Sequence, residues 1–372
     1  MLLSAIVLAA AVLRREAGPV TLFASSCMFD EHLNPLPTNF LALITDSSAA
    51  LPATRRLAAD EHWLRPCEWS PVATMPTINC SVSAFSHANT ELYHLCRTEL
   101  TPRAYHTLDV RDQAGQLLRT QVFAGGAFEP PPSWDLAAIG GDGHELWLFE
   151  ATAGGRAVVI DTRQRGSTVT GEVRARLPLH YGPYGLFWLM PSAAFDGDRT
   201  FAAIINRGDL NGAAPGARLR PGERAPATGY ALLTLDVNSN VTRITALKPS
   251  DIVERGVWAM TFVSPDRLIG LLDDSSRVAI DATTGEVTPL CGHCEPLVGH
   301  LPTLSLSPRR VDANKTSVYI RYDPNEQASA PAGWARRPIV YSFDAATGEP
   351  DGPGCALPAN LTAGLTLAVA GP

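Results

Sequence analysis

Long apolar runs are missing from this sequence. The longest, residues 1–13, stops at Arg14-Arg15-Glu16 and falls short of the roughly 20 residues a helix needs to cross a bilayer. Basic charge is also scarce: 30 Lys and Arg against 37 Asp and Glu give a net charge of −7, which offers no field for nucleic acid. There is no Gly-x-Ser-x-Gly elbow, no His-Glu-x-x-His pair and no phosphate-binding glycine loop. Three common catalytic classes are therefore without a local signature. With 45% hydrophobic residues, 18% charged residues, 30 Gly and 30 Pro, the chain is too apolar for disorder and too rich in turn residues for a helical bundle.

What the sequence does contain is a recurrence. Six apolar segments, 40–46, 105–109, 157–161, 230–236, 278–281 and 339–344, end in Asp46, Asp109, Asp161, Asp236, Asp281 and Asp344, and a more polar segment follows each. The clearest turns read Asp281-Ala282-Thr283-Thr284-Gly285-Glu286 and Asp344-Ala345-Ala346-Thr347-Gly348-Glu349. There an aspartate can accept backbone N–H groups ahead of it and a glycine can take positive φ. These are hairpins.

Reading outward from each hairpin gives four strands per unit. They are expected at 78–86, 91–98, 105–109 and 116–123; at 134–140, 144–151, 156–161 and 169–177; and at 186–193, 200–206, 230–236 and 241–247. A fourth set falls at 257–263, 267–272, 277–281 and 286–290, and a fifth at 303–306, 317–322 and 339–344 with a short irregular strand near Pro350. A sixth needs both ends of the chain, with 19–24, 40–46 and the strand after it joined by 361–370.

On these repeats the sequence resembles the β-propeller superfamily at large. The resemblance covers most of residues 19–372 and lacks the signature of a WD, Tyr-Trp-Thr-Asp or kelch repeat. It implies an all-β fold: one propeller of six four-stranded antiparallel blades, closed by the terminal strands in one blade. A seventh blade is expected only if residues 47–77 hide further strands. The aspartates are spaced unevenly, from 45 to 75 residues, whereas a blade needs roughly 40–50. The surplus falls in long loops at 207–229 and 323–338 and in the connections 47–77 and 124–133. In an up-and-down blade all of these leave from one face, and long irregular segments are where binding surfaces are usually found.

The apolar start reads as a signal peptide over residues 1–17, with the propeller domain at 18–372. Sequons at Asn79, Asn240, Asn314 and Asn360, together with seven cysteines, agree with a secreted or luminal glycoprotein held by disulfides. Cys80 and Cys96 lie symmetrically about Ala88, the midpoint of an apparent hairpin turn, and are expected to pair. Cys27 with Cys67 is a further pairing, which leaves Cys355 free or exchanging with Cys291 and Cys294. Cys291-Gly292-His293-Cys294 has the spacing of a redox pair, but it follows a strand and precedes Glu295-Pro296 rather than a helix. A disulfide is the expected role, since no second ligand pair for a metal is visible.

For ligands, His180-Tyr181-Gly182-Pro183-Tyr184-Gly185 combines aromatic rings with an approachable backbone on a blade connection; packing between blades is its rival reading. Arg207-Gly208-Asp209 is an integrin-type tripeptide at the start of the longest insertion, and chance is a strong rival. Asp196-Gly197-Asp198-Arg199-Thr200-Phe201 is a polar hairpin turn. Glu254, Asp135 and His300 precede or start innermost strands, and they are the first candidates for a channel site that would hold Ca²⁺. The expectation is a monomeric extracellular binding module for a protein or glycan, acting through the long-looped face with His180, Tyr181, Tyr184, Glu254 and His300. No cofactor beyond Ca²⁺ is implied. The competing class is a Ca²⁺-dependent propeller hydrolase or lyase with its site in the central channel.

Overall fold

An aspartate closing a strand organises the turn after it. In a computed structural model, Asp281 Oδ1 accepts the backbone N–H groups of Thr283 and Thr284 at 2.8 and 2.7 Å, and Asp344 Oδ1 accepts those of Ala346 and Thr347 at 2.8 and 3.1 Å. Asp236 does the same for Asn238 and Ser239. Each turn closes on a residue of positive φ: Gly285 and Gly348 at 73°, and Asn240 at 57°. Gly285 is required twice over, because a Cβ there would also run into the backbone oxygen of Ala246 in the neighbouring sheet.

The structure describes residues 20–26, 38–46, 65–66, 68–76, 83–86, 88–96, 107–129, 134–150, 155–177, 193–206, 230–249, 257–272, 276–290, 305–310, 316–322, 339–351, 355–356 and 366–370. These form six sheets. The first holds β1 (Val20–Ser26), β2 (Thr38–Asp46) and β4 (Glu68–Pro76), and β26 (Thr366–Ala370), from the far end of the chain, lies antiparallel on β1. The second holds β5 (Ser83–Ser86), β6 (Glu91–Cys96), β7 (Thr107–Arg111) and β8 (Leu117–Phe123). The third holds β9 (Trp134–Gly140), β10 (Glu145–Glu150), β11 (Arg156–Asp161) and β13 (Glu172–Arg176). The fourth holds β14 (Ala193–Phe195), β15 (Thr200–Asn206), β16 (Tyr230–Asp236) and β17 (Val241–Ala246), and the fifth β18 (Val257–Ser264), β19 (Arg267–Leu272), β20 (Arg277–Asp281) and β21 (Val287–Pro289). The sixth holds β22 (Ser305–Arg310), β23 (Thr316–Tyr322), β24 (Ile339–Asp344) and β25 (Cys355–Ala356). Two short strands cross between sheets: β3 (Arg65–Pro66) pairs parallel with β25, and β12 (Thr168–Val169) pairs parallel with β8.

The protein is thus all-β, with several four-stranded antiparallel sheets in sequence order. The sheets touch through their first strands: β5 meets β9, β9 meets β14, β14 meets β18, β18 meets β22, and β26 meets both β22 and β5. Apolar side chains fill both faces of the third sheet. Leu146, Leu148, Val158 and Ile160 pack with Tyr93, Leu95, Leu108 and Val110 of the second sheet. Trp147, Phe149, Ala157 and Val159 pack with Phe201, Ala203, Leu233 and Leu235 of the fourth. Strands buried on two faces read as continuous apolar runs rather than as alternation. Each fully buried Leu, Val or Phe contributes roughly 1.5–3 kcal/mol.

Several expectations need correction. Asp109 does not end its strand: β7 runs on to Arg111, and Asp112 caps the turn by accepting from Ala114 and Gln116 at 2.9 and 2.8 Å. The strand expected at 169–177 is divided into β12 and β13, with Thr170 and Gly171 in the break between them. In the third expected unit the described first strand is Ala193–Phe195, and the rest of the strand expected at 186–193 lies outside the described residues. The turn after it is the expected polar one, with Asp196 Oδ1 accepting from Asp198, Arg199 and Thr200 at 2.9 Å each. Within 47–77 the described residues supply β3 and β4 and no seventh sheet. Residues 1–17 and the loops 207–229 and 323–338 lie outside the described residues.

Three turn aspartates are held below the ordinary carboxyl range, Asp161 chiefly by the Arg163 side chain, Asp236 by the Ser239 N–H and Asp281 by the Thr284 N–H. The stability they add is complete above the unfolded carboxyl pKa of about 4 and is lost as pH falls through the lower folded value. Replacing Asp281 by Ala should lower the unfolding free energy by about 1 kcal/mol at neutral pH. In urea melts repeated in strong acid, the difference from the parent protein should vanish; a difference independent of pH would refute this role for the carboxylate.

Candidate functional site

On β6, side chains two apart share a face, which aligns Leu92, His94 and Cys96. The register sets Leu92 opposite Arg111 and His94 opposite Asp109 on β7, and Asp109 opposite Thr120 on β8. Donor atoms of His94, Cys96 and Asp109 consequently all lie within 4.8 Å of one another. Cys96 Sγ is 3.7 Å from His94 Nδ1. Thr120 Oγ1 donates to Asp109 Oδ1 at 2.7 Å, and Arg111 Nη2 donates to Asp109 Oδ2 at 3.4 Å.

Burial decides what this group can do. His94 is 1% exposed and Cys96 2%. Burial drives the His94 pKa down to about 4, against the pull of Asp109, so the imidazole is neutral at physiological pH. Burial, reinforced by the Asp109 charge, pushes the Cys96 thiol above its usual range. A nucleophilic cysteine needs a thiolate within reach of a substrate, and neither condition holds here. The neutral imidazole, the thiol and the carboxylate are instead the donor types of a metal centre. Among the described residues, His94 Nε2 and Arg111 Nε have no hydrogen-bond partner.

The opposite face of the same strands carries a second polar group whose valences are filled. Arg119 grips both oxygens of Glu91 at 2.8 and 3.1 Å, Tyr93 Oη donates to Glu91 at 2.6 Å, and Asn89 Nδ2 reaches the Gly143 carbonyl of the third sheet at 3.0 Å. Burial raises the Glu91 pKa, but the bonds from Arg119 and Tyr93 and the charges of Arg119 and Arg165 outweigh it and hold the carboxyl below its ordinary range. A network so satisfied ties two sheets together and leaves nothing vacant for a ligand. An open groove beside the turns of the fifth and sixth sheets is lined by turn and strand residues, among them Asp266, Arg267, Asp281, Glu286 and Thr347. Its carboxylates Asp266 and Asp281 already accept from Ser264 Oγ and from the turn backbone.

Of the residues expected to bind ligand, His180, Tyr181, Tyr184, Glu254 and His300 lie outside the described residues, as do Cys80, Cys291, Cys294, Asn79, Asn314 and Asn360. Asn240 is described and stands exposed at the end of the Asp236 turn. The Cys80–Cys96 disulfide is not formed: Cys96 is a free, buried thiol. The hairpin pairs Ser86 with Glu91 and Ser83 with His94, which sets its midpoint between Ala88 and Asn89 rather than on Ala88. A slip of one residue turns every side chain to the other face. His94, Asp109 and Arg111 were missed because they meet only across strands. The one local trace is His94-x-Cys96 on a strand.

No family model matches the chain, and no curated protein matches it. Two similar solved structures are an oligogalacturonate lyase in complex with manganese, at 10% identity and a TM-score of 0.39, and an oligogalacturonate lyase from Vibrio parahaemolyticus, at 9% and 0.40. Each alignment covers 88% of this chain and 71% of the other. Both are named as lyases, whereas the sequence reading put an extracellular binding module first and the catalytic class second. Their substrate is not carried over to this chain.

With Cys96 free and enclosed, peptide mapping after brief alkylation in native buffer should leave it unmodified, and denaturation should make it reactive. Rapid native labelling, or a peptide cross-linked from Cys80 to Cys96, would overturn the assignment.

Proposed function

We propose that the six sheets are the blades of one β-propeller, closed through β26, and that the chain is a metal-dependent hydrolase or lyase with its site at one mouth of the central channel. The observation that carries the reading is the cyclic succession of first strands, in which β5, β9, β14, β18, β22 and β26 each touch the next. Four antiparallel strands per sheet return the chain to the same end, so every first strand starts from the end where the sheet-to-sheet connections arrive. By sequence, Asp135 is the second residue of β9, Glu254 lies three residues before β18 and His300 five before β22. Carboxylates and an imidazole at the starts of first strands suit a divalent cation on the channel axis, with Ca²⁺ favoured by the oxygen donors. His180, Tyr181 and Tyr184 fall in the segment leading to β14 and are assigned to substrate contact. Secretion with N-glycosylation belongs to the same proposal, supported by the apolar start of the sequence and the exposure of Asn240.

Titrating the full chain with Ca²⁺ and, separately, Mn²⁺ should raise its melting temperature by several degrees, since a ligand that binds only the native state stabilises it. Glu254→Gln and His300→Ala should each abolish most of that rise while unfolding cooperatively on their own. No shift with either ion would sink the channel site. Activity is to be sought with neutral and acidic glycans, scoring reducing ends for hydrolysis and ultraviolet absorbance for the unsaturated product of elimination.

Closure is tested separately. A chain ending at Pro358 lacks β26, and its melt should lose the single cooperative transition of the parent. An unchanged melt would refute closure through the termini.

A further inference from the structure

His94 is buried in the second sheet with neither ring nitrogen properly engaged. Nε2 has no partner, and Nδ1 meets only Cys96 Sγ at 3.7 Å. Buried polar atoms are almost always paired, and an orphaned imidazole beside a thiol and a carboxylate points to a missing cation. Zinc bonds of about 2.0–2.3 Å in a tetrahedron set donors roughly 3.3–3.8 Å apart. The three side chains, with donor atoms all within 4.8 Å, need only a small contraction to reach that spacing.

We propose that His94, Cys96 and Asp109 bind one divalent transition-metal ion of zinc type. Imidazole, thiolate and carboxylate together select a borderline-soft ion over Ca²⁺ or Mg²⁺, so this site differs in residues and in ion from the channel site. The outer shell is present already: Thr120 Oγ1 fixes one Asp109 oxygen at 2.7 Å and Arg111 stands 3.4 Å from the other. These contacts hold the carboxylate in one orientation. On binding, the Sγ–H bond breaks, an Sγ–metal bond forms and the proton leaves to solvent, while the neutral imidazole gives a lone pair without losing a proton. Three protein donors leave a fourth position open. The group lies where β6 ends and β7 begins, so an ion can enter by local opening of that strand end.

The test is Co²⁺ titration of the full, reduced and metal-stripped chain. One equivalent should produce a thiolate-to-cobalt charge-transfer band in the near ultraviolet together with visible bands of tetrahedral cobalt, and Zn²⁺ should bleach both. Cys96→Ser should remove the charge-transfer band, Asp109→Asn should weaken binding about tenfold or more, and Thr120→Val should weaken it about tenfold. Cys291→Ser with Cys294→Ser should leave the band intact. A band that survives Cys96→Ser, or that vanishes with the 291/294 pair, overturns the assignment, as does the absence of any band. Should the Cys96 variant fail to fold, X-ray absorption of the zinc-loaded parent decides, with one sulfur and three lighter donors expected, the third of them solvent at the open position; a sulfur-free shell, or one with several sulfurs, refutes the site.

Discussion

The interaction on which the sheets depend is the one between a carboxylate at the end of a third strand and the backbone N–H groups just beyond it. It bends the chain tightly enough that the next residue turns inward. Thr162, Val237, Ala282 and Ala345, each following such an aspartate, are all buried and donate their N–H to His144, Arg199, Asp266 and Thr316 at 2.8–3.0 Å. The turn between the third and fourth strands is thereby locked to the start of the second. Four copies of one geometry, with Thr, Val and Ala interchangeable at the buried position, indicate that the backbone sets the motif and the side chain only has to fit.

The locked turns also hold neighbouring sheets together. An outer strand left bare presents unpaired backbone groups that invite aggregation. Here the connection between the third and fourth strands of one sheet covers the last strand of the sheet before it. Val122 and Ala124 donate to Ser167 and Val169 across the second and third sheets, and Lys248 exchanges bonds with Gly285 and Val287 across the fourth and fifth. Across the fifth and sixth, Arg267 reaches Ala345, Arg277 reaches the Gly348 carbonyl and the Arg277 guanidinium lies over Phe343. β3 does the same for β25. The need for glycine at position 285 follows from this docking as much as from φ.

These facts explain what was legible. Turns such as those at Asp281 and Asp344 are local, so their residues announce them, and β9, β11, β19, β20 and β24 fall where the pattern places them. Register is not local. Strands such as β10, with Leu146 to Phe149 buried on both faces, offer no alternation to count from, and the Cys80–Cys96 pairing failed by half a residue at the hairpin midpoint. Asp109 was misread for the same reason. Its apolar neighbours and polar follower imitate a turn, yet the strand continues because Asp112 competes for the turn backbone and holds two of its N–H groups.

The two polar groups of the second sheet show why a site can hide inside such a fold. Glu91, Arg119, Tyr93 and Asn89 face the third sheet and fill one another's valences, so their burial is repaid by hydrogen bonds and an ion pair. His94, Cys96 and Asp109 face the other way and are not closed in this sense. An imidazole nitrogen left unpaired in the interior carries a penalty of about 1–3 kcal/mol, comparable to the loss of a large apolar side chain from the core. Apolar residues at 94 and 96 would continue the sheet without that penalty, as Leu92 and Leu95 already do at 0% exposure. The fold alone thus gives no reason for a histidine and a cysteine at these positions, and a bound cation would supply one.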